Sequence, residues 1–68
     1  MSKTLAFTVF CIESYKEHRG LSGREVDRLF KKYNVYAYLR EYYDTLHTTG
    51  YQYINNDIDR FISARSER

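Results

Sequence analysis

Residues Leu21 to Asn34 read LSGREVDRLFKKYN, and this stretch decides the fold. Ser22 and Glu25 stand at capping-box spacing, where each side chain satisfies a backbone N–H left open at a helix start. Leu21 and Val26 flank them as a hydrophobic staple. Val26, Leu29, Phe30 and Tyr33 then mark one helical face, while Arg24, Arg28 and Lys31 fall on the opposite one, as a period of about 3.6 residues requires. Asn34 follows as a terminator, because asparagine tolerates the left-handed conformation that closes a helix.

The same grammar extends in both directions. Upstream, the chain from about Lys3 to Arg19 places Leu5, Val9 and Ile12 at helical spacing, with Phe7, Phe10 and Cys11 widening the stripe. Lys16, His18 and Arg19 complement the dipole of the last turn, and Gly20 ends the helix. So broad an apolar run predicts a helix buried on more than one side. A strand there has nothing to pair with. Downstream, Val35 to His47 predicts a third helix with Val35, Leu39, Tyr42 and Leu46 inward, Tyr38 and Tyr43 at the edges, and Ala37, Arg40 and Asp44 outward. Thr48, Thr49 and Gly50 end it. In the fourth segment, Tyr51 to about Arg65, Ile54, Ile58, Phe61 and Ile62 are helically spaced. Its start has two readings: helix from Tyr51, or an extended connection from Gly50 to Ile54 with the helix beginning near Asn56, since Asn55, Asn56 and Asp57 are all good N-caps. Ser63 to Arg68 are expected to fray. The expected fold is all-α, a compact bundle of three to four short helices forming one domain over residues 1–68.

Composition narrows the class. The chain of 68 residues is 43 % hydrophobic and 29 % charged, an ordinary globular balance. A core of this size supplies only about 3–5 kcal/mol, so small chains add a disulfide, a metal or a partner. With one cysteine, Cys11, no internal disulfide forms, and His18 and His47 with Cys11 fall short of four zinc ligands. No apolar stretch approaches the roughly 20 residues of a membrane span, and no signal peptide is evident. The expectation is a cytoplasmic protein that needs no cofactor or metal and associates with another protein or with itself. Eight tyrosines are more than so small a core requires, and tyrosine suits half-buried surfaces and interfaces.

Three strings carry a family resemblance: C-I-E-x-Y (Cys11 to Tyr15), L-S-G-x-E-V (Leu21 to Val26) and Y-D-x-L-H-T-x-G-x-x-Y-I-x-x-D-I-D (Tyr43 to Asp59). Together they resemble a family of short bacterial helical proteins of unknown function. The resemblance implies an all-helical fold with no established catalytic residue. It also implies neighbours that look like ADP-ribosyltransferase toxins, and hence an antitoxin-like or accessory role.

Candidate sites are weighed against plainer readings. Cys11 lies mid-helix among apolar residues, the opposite of the cationic or helix-start setting that activates a thiol, so it reads as core. Asp44 and His47 can meet on one helical face, but no nucleophile stands beside them. His47 reads as a helix-end cap and Asp44 as a solvated neighbour. Asp57 reads as a first-turn helix charge rather than a metal ligand. The short turn at Asn34 matches a helix-turn-helix, which makes Arg24, Arg28, Lys31 and Arg40 the nucleic-acid candidates. That third helix sets Arg40 against Glu41 and Asp44, a poor phosphate binder, and the stripe on the second helix reads as a solvated face with Asp27 and Lys31 at i,i+4 spacing. Tyr36, Tyr38, Tyr43, Tyr51 and Tyr53 are the candidates for a protein-contacting surface. The reading is a non-catalytic protein–protein interaction module. A helix-turn-helix DNA-binding regulator is the alternative.

Overall fold

The first two helices begin at serines. In the computed structural model, which describes residues 2–66 apart from the side chain of Tyr51, Ser2 Oγ accepts the N–H of Leu5 at 3.0 Å and opens α1, Lys3–Arg19. Gly20 closes it with φ 65° and returns its N–H to the Lys16 carbonyl. Ser22 opens α2, Gly23–Lys32, by accepting the Glu25 N–H at 3.1 Å, and its hydroxyl donates to the Glu25 carboxylate at 3.0 Å. The Ser22 arm of the expected capping box is therefore present, while the Glu25 carboxylate accepts from the serine hydroxyl rather than from its backbone N–H. Asn34, the one non-glycine residue described with positive φ (61°), turns the chain into α3, Val35–Glu41.

The third expected helix is broken. Tyr42 leaves helical geometry (φ −105°, ψ 19°), and a short α4, Tyr43–Leu46, follows. The break re-aims the stripe: Leu46 stays buried, whereas Tyr42, expected inside, is 48 % exposed. No glycine or proline announces this turn. The final helix α5 runs Tyr51–Ser66, so the helical reading of its start holds. Asn55, Asn56 and Asp57 are interior rather than caps, and the helix continues through Ser63 to Ser66. Residues 67–68, the end of the expected frayed tail, lie outside the described residues.

Among the described residues the architecture is all-α, five helices with α1 packed against α2, α3 and α5, and α3 against α2 and α5. Cys11, Tyr15, Val26, Phe30, Val35, Leu39, Leu46, Ile54 and Ile58 form the core. Most of them are the inward residues of the sequence periodicity. Burial pushes the Cys11 thiol up to about 12, which makes it inert, as its setting predicts. The exception to expectation is the first half of α1. Instead of being buried on several sides, it leaves Leu5 50 %, Val9 44 % and Phe10 38 % exposed. Only its second half, at Cys11 and Tyr15, is enclosed.

Candidate interaction surface

Two grooves flank that open half of α1. The first, of about 420 Å³, lies between α1 and α3, with Leu5, Val9 and Ile12 along one wall and Tyr36 and Arg40 on the other. The second, of about 450 Å³, is lined by Phe7 and Phe10 of α1 with Tyr43, His47 and Ile54. At about 100° per residue, Leu5, Val9 and Ile12 share one face of α1, while the enclosed Cys11 and Tyr15 point well away from it. An apolar stripe facing outward lacks the partner that an amphipathic helix ordinarily has.

The tyrosines do not form one surface. Three of them clasp helices together by donating to aspartates. Tyr36 bonds Asp27 at 2.5 Å and joins α3 to α2, while Tyr38 bonds Asp57 at 3.1 Å and joins α3 to α5. Tyr15 bonds Asp59 at 2.5 Å and joins α1 to α5. Tyr38 also stacks on Phe61 with ring centres 4.3 Å apart. Tyr43 lies in the second groove, edge-on to Phe7 and stacked against His47 at 4.4 Å. Tyr53 stands away from these, 70 % exposed. The side chain of Tyr51 lies outside the described residues. Of the five tyrosine candidates, then, Tyr36 and Tyr43 border the grooves of α1, and Tyr38 holds the bundle together.

Asp59 is the most connected polar residue described. Besides Tyr15, it accepts from Arg19 at 3.1 Å, and its second oxygen lies 2.6 Å from His18 Nε2, the nitrogen that carries the proton toward a carboxylate. Burial acts to raise its carboxyl pKa, but the bonds from Tyr15, His18 and Arg19 outweigh it and hold the group below its ordinary value. The Tyr15 hydroxyl is pushed up to about 12 by burial and by Asp59. One step along, Asn55 is buried and exchanges hydrogen bonds with Ser14 at 3.1 and 3.3 Å. His18 and Arg19, read from sequence as last-turn charges, are thus tethers to α5. Nothing in the sequence pairs them with a residue 40 positions away.

His47 does close a helix, its Nδ1–H donating to the Tyr43 carbonyl at 2.7 Å, and Asp44 is exposed beside it. Asp57 sits in the second turn of α5 and accepts the Tyr38 hydroxyl hydrogen bond, rather than serving as a first-turn charge. No group of three or more His, Cys, Asp or Glu among the described residues is placed to hold a metal ion. No described helix is long and apolar enough to cross a membrane. Of the basic candidates, Arg24 and Arg28 are exposed on α2, Lys31 pairs with Asp27 at 3.0 Å, and Arg40 is not on that stripe but on the wall of the first groove.

A family model described as a protein of unknown function, DUF3791, matches residues 6–65. The chain belongs to the DUF3791 family. No curated protein and no solved structure matches it. The DUF3791 match takes in α1 from Ala6 onward, the groove residues Val9, Ile12, Tyr36 and Arg40 and every aspartate clasp, while Leu5 and Lys3 precede it.

Proposed function

We propose that this DUF3791 protein is a non-catalytic protein–protein interaction module, antitoxin-like or accessory within a small bacterial operon, and that it docks through the open half of α1. The observation that carries this reading is the half-exposure of Leu5, Val9 and Phe10 on a helix with a groove on either side. Leaving the adjacent Leu5 and Val9 about half in water costs a chain this small part of its hydrophobic gain. A partner that covers them recovers it.

The test is co-expression with the products of neighbouring genes, followed by size-exclusion chromatography with light scattering and absorbance at protein and nucleic-acid wavelengths. A nucleic-acid-free complex is expected, and Leu5→Ser with Val9→Ser should dissolve it while leaving the circular-dichroism signal of the helices unchanged. These positions separate docking from folding better than Tyr36 or Tyr38, whose loss also releases Asp27 or Asp57. A complex indifferent to the double substitution sinks the α1 assignment. A chain that carries nucleic acid stripped off by salt brings forward the helix-turn-helix alternative, which has the short α2–α3 turn in its favour. Against that alternative, α3 spends Val35 and Leu39 on the core and ties Tyr36 and Tyr38 to aspartates, leaving little of its seven residues to read bases.

A further inference from the structure

We infer that the groove between α1 and α3 receives an amphipathic helix of another protein whose apolar stripe is edged with carboxylates. This deepens the interaction-module reading and rests on it. Shape supplies the first half of the argument. Leu5, Val9 and Ile12 stand at i, i+4 and i+7, spanning about 10 Å along α1, two helical turns, with Tyr36 opposite. A helix laid in such a groove presents anchors at the same i, i+3/i+4, i+7 intervals.

Charge supplies the second half. Among the described residues, the cationic or imidazole side chains lining the two grooves beside α1 are Arg40 in the first and Lys3 and His47 in the second, and no carboxylate lines either one. Elsewhere Lys16 is answered by Glu13, Arg19 by Asp59 and Lys31 by Asp27, while Arg24, Arg28, Lys32, Arg60 and Arg65 enter no ion pair among the described residues but line neither groove, so what sets Arg40 apart is its place on an apolar wall. Among the described residues, Arg40 and Lys3 enter no ion pair. A guanidinium beside apolar wall residues is suited to a bidentate grip on a carboxylate. A second copy of the chain fits less well. The stretch of α1 that a second copy would lay in the groove offers no carboxylate before Glu13. A nucleic acid would meet the arginine but leave Leu5 and Val9 wet.

The probe is a pair of end-blocked, fluorescently labelled helical peptides of 18 residues sharing one leucine stripe, edged with glutamate in one twin and lysine in the other. Binding is read by anisotropy against the wild-type chain, Arg40→Glu and Val9→Ser, with Arg40→Gln as a milder substitute should charge reversal disturb folding. The glutamate twin should bind at least ten-fold more tightly than the lysine twin. Arg40→Glu should reverse that preference, Arg40→Gln should abolish it, and Val9→Ser should weaken both twins. Amide shifts in a labelled chain should gather at Leu5, Val9, Ile12, Tyr36 and Arg40. Equal binding of the twins with sensitivity to Val9→Ser overturns the carboxylate inference and leaves the interaction reading standing. So does dimerisation of the chain alone that Val9→Ser abolishes, whereas a duplex DNA probe that binds only while Arg40 is present overturns both readings in favour of the helix-turn-helix alternative. Failure of both twins together with a Val9-indifferent complex in co-expression overturns both readings.

Discussion

Single residues settle how the tyrosines are used. Their number is legible in the sequence, but their pairing with Asp27, Asp57 and Asp59 is not, because the partners lie 9, 19 and 44 positions apart and no local rule joins them. Each clasp buries a ring and leaves its hydroxyl on a charged acceptor, which is worth more than a neutral bond. Asp59 gives the clearest consequence. Its folded pKa is held below the ordinary value, so its contribution is present above the unfolded pKa and is lost as pH falls through the folded one. Asp59→Asn keeps the shape and removes the charge. It should cost about 1–2 kcal/mol at pH 7, a hydrogen-bonded charge discounted for partial exposure. Urea melts of both chains between pH 7 and pH 2 should show that gap full above about pH 5 and closing below the ordinary carboxylate range. A gap constant with pH would mean that Asp59 acts through shape alone.

At the scale of elements, helix ends were legible wherever the chain uses local chemistry. The capping pair Ser22 and Glu25, the left-handed Gly20 and the left-handed Asn34 all stand where the sequence puts them. The break at Tyr42 was not legible, since no residue there disfavours a helix. With the break, Leu46 stays in the core and Tyr43 meets Phe7, while Tyr42 is turned outward. The start of α5 was ambiguous for a related reason: three cap-forming residues, Asn55 to Asp57, are used inside the helix, where tertiary partners take two of their side chains. Asn34 makes a sharp prediction because its side chain forms no cap hydrogen bond. Only its backbone conformation matters, so Asn34→Gly should change stability by under about 0.5 kcal/mol, the relief of strain offsetting the extra freedom of the unfolded chain. Asn34→Val should cost about 1–2 kcal/mol, because a β-branched residue resists φ 61°. Equal urea midpoints for the glycine and valine variants would show that the turn rearranges.

For the whole molecule, the core was largely legible and the open surface was not. Periodicity identifies apolar residues but cannot say which stripe of a broadly apolar helix finds a partner inside the chain. In α1 the enclosed stripe runs through Cys11 and Tyr15, and the one through Leu5 and Val9 is left over. The radius of gyration, 11.1 Å, equals the roughly 11 Å of a well-packed chain of this length, so the opening at α1 is local and not a sign of loose packing. The Cys11 thiol reports on this balance, being fully enclosed and held protonated by burial up to about 12. A thiol reagent can reach it at pH 8 only through opening of the bundle. With about 3–5 kcal/mol of stability, labelling should run two to four orders of magnitude slower than in urea-unfolded chain. Because α1 carries both the thiol and the open stripe, a partner seated on Leu5 and Val9 binds the folded chain alone and lowers the open population further, in proportion to its concentration over its dissociation constant. The co-purified complex should therefore label more slowly than the isolated chain, and Val9→Ser should erase that difference. Fast labelling of the isolated chain would show that α1 detaches without unfolding the rest, and protection that survives Val9→Ser would place the contact away from α1.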